Sequence, residues 1–218
     1  LSAGYVEKRE EGGLARALDG RGKRAAFALY YGATHFLAAQ ALVRELDLGF
    51  PAGGRATILD LGCGTGVCGS AWAIESAAPT PHIVGADRSS FALHEARWTY
   101  QTLRLKAETS RSITETLESI RRPEGMVIGW TLNELDDAKR ALIAERIAPW
   151  IVKGSKLLVI EPVSMRVAPW WDEWVKRLPA AHCSVLEKRL RLALPPKIAL
   201  LARSAGLGTE ATVVRVLV

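Results

Sequence analysis

The sequence predicts a doubly wound α/β domain with a mostly parallel, seven-stranded sheet, and three observations carry that reading. Short hydrophobic strands alternate with helical segments from Ala56 onward, the order that builds a parallel sheet covered by helices on both faces. A glycine cluster, Gly62-Cys63-Gly64-Thr65-Gly66, stands where the first strand gives way to a helix. An acidic residue, Asp87, ends the second strand. Composition agrees, since 218 residues at 49% hydrophobic and 24% charged describe one globular unit and not a disordered chain.

The elements follow in order. Residues 1–20 are polar and glycine-rich (Glu10-Glu11-Gly12-Gly13) and read as a loose arm or a short helix. From Arg21 to Leu46 the residues Phe27, Tyr30, Tyr31, Thr34, Leu37, Ala41 and Leu42 recur at helical spacing. They predict a cap helix that Phe50-Pro51-Ala52-Gly53-Gly54 ends. The first strand is Ala56–Leu61, followed by a small-residue helix from Val67 to about Ala77. His82–Ala86 is the second strand, with a helix over Ser90–Leu103. A third strand falls within Leu105–Thr109 and a short helix at Thr114–Ile120. Met126–Trp130 is the fourth strand, and Asp136 or Asp137 can cap a helix running to about Ile147. Ser155–Ile160 is the fifth strand. Beyond it come a helix after Pro169, a strand near Ser184–Leu192, a helix at Lys197–Ala205 and a last strand at Ala211–Leu217. Short paired strands at the end would add an antiparallel edge. The organisation is an arm and cap helix over residues 1–50 and one compact unit over 51–218.

Several function classes fall away early. No stretch approaches the roughly 18 uninterrupted apolar residues of a membrane span, so no membrane partner is expected. The start, Leu1-Ser2-Ala3-Gly4, shows no signal-peptide pattern, but it lacks Met, so targeting stays open. Cys63, Cys68 and Cys183 are an odd count without a CxxC pair. They argue against a disulfide framework or metal site and for a reducing, cytoplasmic setting.

The glycine cluster has two readings. Glycines allow a tight turn and a close ligand approach, and a helix N-terminus beside them attracts an anionic group. Gly64-x-Gly66-x-x-Gly69 matches a dinucleotide fingerprint by spacing. In that motif, however, the first glycine follows the strand directly, whereas here Gly64 would leave Asp60 and Gly62 unexplained. Asp87 stands where nucleoside-binding α/β folds place a carboxylate for ribose hydroxyls, so it supports either nucleoside ligand.

The full run, a hydrophobic strand and then Asp60-x-Gly62-x-Gly64-x-Gly66, resembles motif I of the class I S-adenosylmethionine-dependent methyltransferases. The resemblance covers Ala56 to Pro162. It implies a Rossmann-like class I methyltransferase fold, S-adenosyl-L-methionine as cofactor and S-adenosyl-L-homocysteine as product. It assigns cofactor contacts to Asp60, Gly62, Cys63, Gly64, Gly66, Asp87, Arg88 and Ser89. Trp130 and Thr131 would lie at the methionine end, and Thr109 (or Ser110) would meet the adenine. Leu132-Asn133-Glu134-Leu135 and Val159-Ile160-Glu161-Pro162, with Ala86-Asp87-Arg88-Ser89, look like the ribosomal small-subunit methyltransferase-like family, with mitochondrial ribosome-associated members. Thr65 stands where that family commonly has proline, and three scattered cysteines do not match its iron–sulfur ligand set.

The chemistry is narrowed by what is missing. No cysteine stands just beyond the fourth or fifth strand to attack a cytosine, Cys183 lying well downstream, and no Asn/Asp-Pro-Pro-Tyr/Phe motif is present. Asn133 or Glu134 would face the acceptor as catalytic groups, or else both would form the start of the next helix. Trp170 and Trp174 could stack an acceptor or pack against the sheet, while Tyr30, Tyr31 and His35 could roof the cofactor or fill the core.

Charge is lopsided. Residues 176–218 carry eight basic side chains (Lys176, Arg177, Lys188, Arg189, Arg191, Lys197, Arg203, Arg215) against Glu187 and Glu210, which is the whole net charge of +6. Such a tail can face a polyanion or be a solvated surface. RNA, with ribosomal RNA favoured by the resemblance, is the expected acceptor. A small molecule, or a cofactor-binding role in ribosome assembly without turnover, is the alternative. The oligomeric state is not legible.

Overall fold

The computed structural model describes residues 20–204, 206 and 212–218. The polar arm before Gly20, together with Glu210 and Ala211, lies outside them. Seven strands form one sheet: β1 (Thr57–Leu61), β2 (His82–Ala86), β3 (Ala107–Ser110), β4 (Gly125–Gly129), β5 (Lys156–Pro162), β6 (Val185–Leu190) and β7 (Thr212–Leu217). Their order is β3-β2-β1-β4-β5-β7-β6. The first five are parallel, and β7 runs antiparallel to both β5 and β6. The connection reverses direction between β1 and β4, the switch point where open α/β sheets leave a crevice at the strand C-termini.

The helices are α1 (Arg21–Ala26), a π-helical turn (Phe27–Tyr31), α2 (Gly32–Glu45), α3 (Val67–Ile74), α4 (Ser90–Thr102), α5 (Ile113–Ser119), α6 (Asp137–Val152), α7 (Trp171–Val175) and α8 (Pro196–Ser204). Period-two alternation splits the sheet between two cores. Ile58, Ile83, Val127, Leu158 and Ile160 pack with Leu42 of α2, Trp72 of α3 and Leu93 of α4. Leu59, Leu61, Met126, Ile128, Leu157 and Val159 pack with Ile143 and Ile147 of α6 and with Trp171 and Trp174 of α7. Helix α2 lies on α3. Contrary to the expectation from uninterrupted apolar runs, the helical stretch Arg24–Glu45 is, by length and a mean hydropathy of 1.2, apolar enough to cross a bilayer. Within it Ala38, Ala39, Leu42 and Val43 are buried in the core.

Local chemistry explains the borders. Ser89 caps α4 by accepting the Ala92 N–H at 3.3 Å, Ser112 caps α5 through Glu115 N–H at 3.1 Å, and Asp136 caps α6 through Lys139 N–H at 2.8 Å. Helix α6 runs through Pro149 to Val152, past the expected Ile147, because a proline near the end of a helix removes only one hydrogen bond. Strand β3 begins two residues later than the earliest expected start.

Candidate functional site

The site lies at the C-terminal ends of β1, β2 and β4, and its floor is the glycine loop. Gly62, Gly64 and Gly66 all have φ in the left-handed region, at +67°, +53° and +76°, which L side chains adopt only under strain. Each glycine has its own reason. A Cβ on Gly62 would sit 2.1 Å from Thr131 Oγ1, and one on Gly66 would sit 2.8 Å from the Tyr100 ring. A Cβ on Gly64 would meet nothing nearer than Phe27 at 3.9 Å, so this glycine opens onto the pocket. The Thr131 hydroxyl stitches the β1 and β4 loops together, donating to the Gly62 carbonyl (3.2 Å) and Gly129 carbonyl (3.0 Å).

Two carboxylates hold this loop from below and from the side. Asp60 is 1% exposed and accepts the Gly69 N–H at 2.8 Å, clamping the first turn of α3 to β1. Burial pushes its carboxyl up to about 7, against the Gly69 bond that favours the charged form. Asp87 accepts the Gly64 N–H at 3.0 Å and the Ser89 N–H at 2.8 Å. Burial raises its carboxyl too, opposed by those two amides and by the Arg88 charge.

The pocket is lined by Gly62, Cys63, Gly64, Thr65, Asp87 and Arg88 on one side and by Gly129, Trp130, Thr131 and Glu134 on the other. Phe27 and Tyr31 of the π-helical turn and His35 of α2 roof it. His35 stacks on Trp130 with ring centroids 3.7 Å apart and planes within 7°. Burial lowers its imidazole to about 3, so the ring is neutral at working pH. The pocket is partly open to solvent and holds about 70 Å³.

The sequence-predicted residues come together unevenly. Gly62, Cys63, Gly64, Asp87, Arg88, Trp130, Thr131 and Glu134 all line the pocket. Asp60, Gly66 and Ser89 do not. They support it by holding α3, turning the loop and bonding Asp87. Thr109 accepts from Arg97 Nε at 2.9 Å and also stands away from the pocket lining. Asn133 and Glu134 form a 3₁₀ turn, Leu132–Glu134, and the α6 cap belongs to Asp136. Glu134 faces Arg88 at 3.7 Å across the pocket. Asn133 turns the other way, donating from Nδ2 to Glu161 and accepting from Trp170 Nε1 at 3.2 Å.

Trp171 and Trp174 are core residues, and Trp174 Nε1 donates to the Arg140 carbonyl at 2.8 Å. Burial holds Cys63 and Cys68 as protonated thiols. Among the described residues no cluster of His, Cys, Asp or Glu could hold a metal. Sequence reasoning missed Phe27, Val67 and Ile113 as lining residues, because each reads as ordinary helix packing.

The lining fits an adenosyl cofactor: an open glycine face, a carboxylate at the end of β2, and Trp130 and Thr131 on the β4 side. A family model described as methyltransferase small domain matches residues 35–122. No curated protein matches the chain in sequence. Among solved structures the chain is similar to precorrin-6y C5,15-methyltransferase from Geobacter metallireducens, at 12% identity and TM-score 0.57, over 84% of each chain. It is similar to the plantazolicin methyltransferase BpumL in complex with SAH, at 13% identity and TM-score 0.53, over 100% of this chain and 95% of that one. A third is a putative methyltransferase from Thermoplasma acidophilum, at 16% identity and TM-score 0.54, over 78% and 69%. These likenesses give the fold. The methyltransferase small domain match spans less than half of the chain.

Proposed function

We propose that this chain transfers the S-adenosylmethionine methyl group to a small-molecule acceptor held between the aromatic roof and the β4 loop. The observation that carries the acceptor class is the roof: Phe27, Tyr31 and His35 close over the pocket and His35 stacks on Trp130, leaving about 70 Å³. A structured polyanion would have to pass the Phe27–Tyr31 turn, which roofs the pocket. The bound cofactor supplies an electrophilic methyl on a sulfonium, which an acceptor lone pair displaces in line, the C–S electron pair staying on sulfur.

The protein's part is placement and exclusion of water. Asp87 offers its carboxylate to the ribose hydroxyls, and the N-terminal turn of α3 beside Gly66 favours an anionic group. Trp130 and Thr131 shape the methionine end. Glu134, 3.7 Å from Arg88, is the candidate base for an acceptor that must lose a proton. The neighbours' printed functions include precorrin and plantazolicin methylation, consistent with small acceptors on this fold.

RNA methylation, including the ribosomal type that the sequence motifs resemble, is the second reading. Arg189, Arg191, Lys197 and Arg203 are exposed, which favours it. Against it, three of the tail's cations are engaged within the chain: Lys188 with Glu45 at 2.6 Å, Arg215 with Glu187 at 3.2 Å and Lys176 with Glu173 at 2.6 Å. The deciding experiment is methyl transfer from tritiated S-adenosylmethionine to total RNA, ribosomal subunits and a small-molecule extract. Label in the low-mass fraction is expected, and label confined to RNA would overturn the small-acceptor reading.

A further inference from the structure

The least exposed carboxylate near the site is one that the proposed chemistry does not use. Glu161, 0% exposed, ends β5 in the core, outside the pocket lining. Its Oε1 accepts the Leu132 N–H at 2.8 Å, and its Oε2 accepts from Asn133 Nδ2. The other end of the same amide, Asn133 Oδ1, accepts the Trp170 indole N–H at 3.2 Å. Both ends of the Asn133 amide are therefore fixed, and Glu161 sets which way it faces.

What this chain of bonds holds is the β4 loop. Trp130 sits there with φ +53°, a strained value for a tryptophan. Its N–H donates to the Ile160 carbonyl at 2.8 Å, one residue before Glu161. Trp130, Thr131 and Glu134 present their side chains to the pocket, while Leu132 and Asn133, between them, turn down to Glu161. The loop divides in this way because its middle is tied from beneath. Arg140 reinforces this from α6, donating to the Leu132 carbonyl at 2.9 Å and lying 4.8 Å over the Trp170 ring.

We infer that Glu161 is a positioning residue: through Leu132 and Asn133 it locks the 130–135 loop and so sets the methionine-side wall of the cofactor pocket. This rests on the methyltransferase reading, since it takes Trp130 and Thr131 to face S-adenosylmethionine.

Hydrogen-bond polarity supplies the test. In Glu161→Gln the side chain can still accept from Leu132 N–H, but its amide NH₂ then faces the NH₂ of Asn133. Flipping Asn133 cures that clash only by turning NH₂ toward the Trp170 N–H. One donor is left unpaired either way. In Glu161→Gln with Asn133→Asp, the new carboxylate at position 133 accepts from both the introduced amide at position 161 and the Trp170 indole, restoring the chain with the same net charge.

The measurement is S-adenosylhomocysteine affinity by calorimetry, alongside melting temperature and hydrogen exchange at the Leu132 amide. Glu161→Gln should weaken binding at least ten-fold and speed Leu132 exchange. The double variant should return within two-fold of wild type. Folded Glu161→Gln that binds within two-fold of wild type overturns the inference, as does a double variant that folds but keeps a ten-fold defect. If Glu161→Gln does not fold, the double variant alone decides by the same two-fold criterion, and a double variant that also fails to fold counts against the inference. Wild type that fails to bind S-adenosylhomocysteine would instead sink the cofactor reading on which it stands.

Discussion

The two sides of the crevice are built in different ways. On the β1–β2 side the contacts are short in sequence: Asp60 reaches Gly69 nine residues on, and Gly64 meets Asp87 across 23. On the β4–β5 side they are long, with Glu161 reaching Asn133 over 28 residues, Trp170 reaching Asn133 over 37, and Thr131 reaching Gly62 over 69. The first side is held by backbone shape and two carboxylates, the second by side-chain networks. A local site can be read from residue types at fixed spacing. A networked one needs the register of distant strands first.

The largest effect should come where the two sides touch. Gly62→Ala would place a methyl 2.1 Å from Thr131 Oγ1 at a φ of +67°. Overpacking and left-handed strain together should cost on the order of 2–5 kcal/mol, read by urea denaturation. Gly64→Ala, whose Cβ meets only Phe27 at 3.9 Å, should cost roughly 1–2 kcal/mol of stability but block cofactor binding. If Gly62→Ala costs no more than Gly64→Ala, the join between the halves is not where the structure puts it.

Asp87→Ala comes next. It removes the acceptor of the Gly64 and Ser89 amides and should weaken S-adenosylmethionine by roughly 1–3 kcal/mol. Calorimetry checks it, and equal affinity would mean that the ribose is held elsewhere.

The legible parts of the molecule follow the same division. The strand–helix order and the Asp60-to-Gly66 loop were readable because a buried parallel strand and a glycine turn each leave a local signature. Thr109 lies on the short edge strand β3, where its hydroxyl accepts from Arg97 Nε outside the pocket lining. Asn133 read as acceptor-facing because its real partners, Glu161 and Trp170, lie on other elements. One signal was available: Glu161, like Asp60 and Asp87, is an acid at the end of a hydrophobic strand, and all three are buried. A carboxylate in that position is costly unless it accepts N–H donors, so it announces a network even when its partners cannot be named.

Asp60 sharpens the comparison through pH. Its folded carboxyl titrates near 7, above its ordinary value of 3.8. A raised acid contributes stability that is complete below the unfolded value and is lost as pH rises through 7. Asp60→Asn keeps an acceptor for the Gly69 N–H and has no such loss. Its melting temperature relative to wild type should therefore climb between pH 5 and pH 8, by roughly 2–4 °C per kcal/mol relieved. His35 works in the opposite sense, its imidazole lowered to about 3, so its contribution is lost as pH falls below about 6.5. A pH-independent gap between Asp60→Asn and wild type would show that the carboxyl does not titrate between pH 5 and pH 8.

The smallest effect is expected at the basic edge of the tail, where β6 is separated from β5 by β7. On edge strand β6, Lys188 shares the face of Leu186 and Leu190 and pairs with Glu45 of α2, whereas Arg189 points to the opposite face with Glu187. Reversing Lys188, Arg189 and Arg191 to Glu should leave S-adenosylhomocysteine affinity unchanged, because the adenosyl pocket lies at β1, β2 and β4. Lys188→Glu alone sets two carboxylates together and should cost a few tenths to about 1 kcal/mol of stability, the range for a partly exposed pair. For a small-acceptor enzyme the triple reversal changes nothing else. If the tail instead grips RNA, each lost phosphate contact flattens the salt dependence of binding by about 0.7–0.9 in log–log slope, and Arg189 and Arg191, unlike Lys188, would carry that change. A measured flattening by two such steps would move the acceptor from the aromatic pocket's small ligand to a nucleic acid laid along the β6 edge.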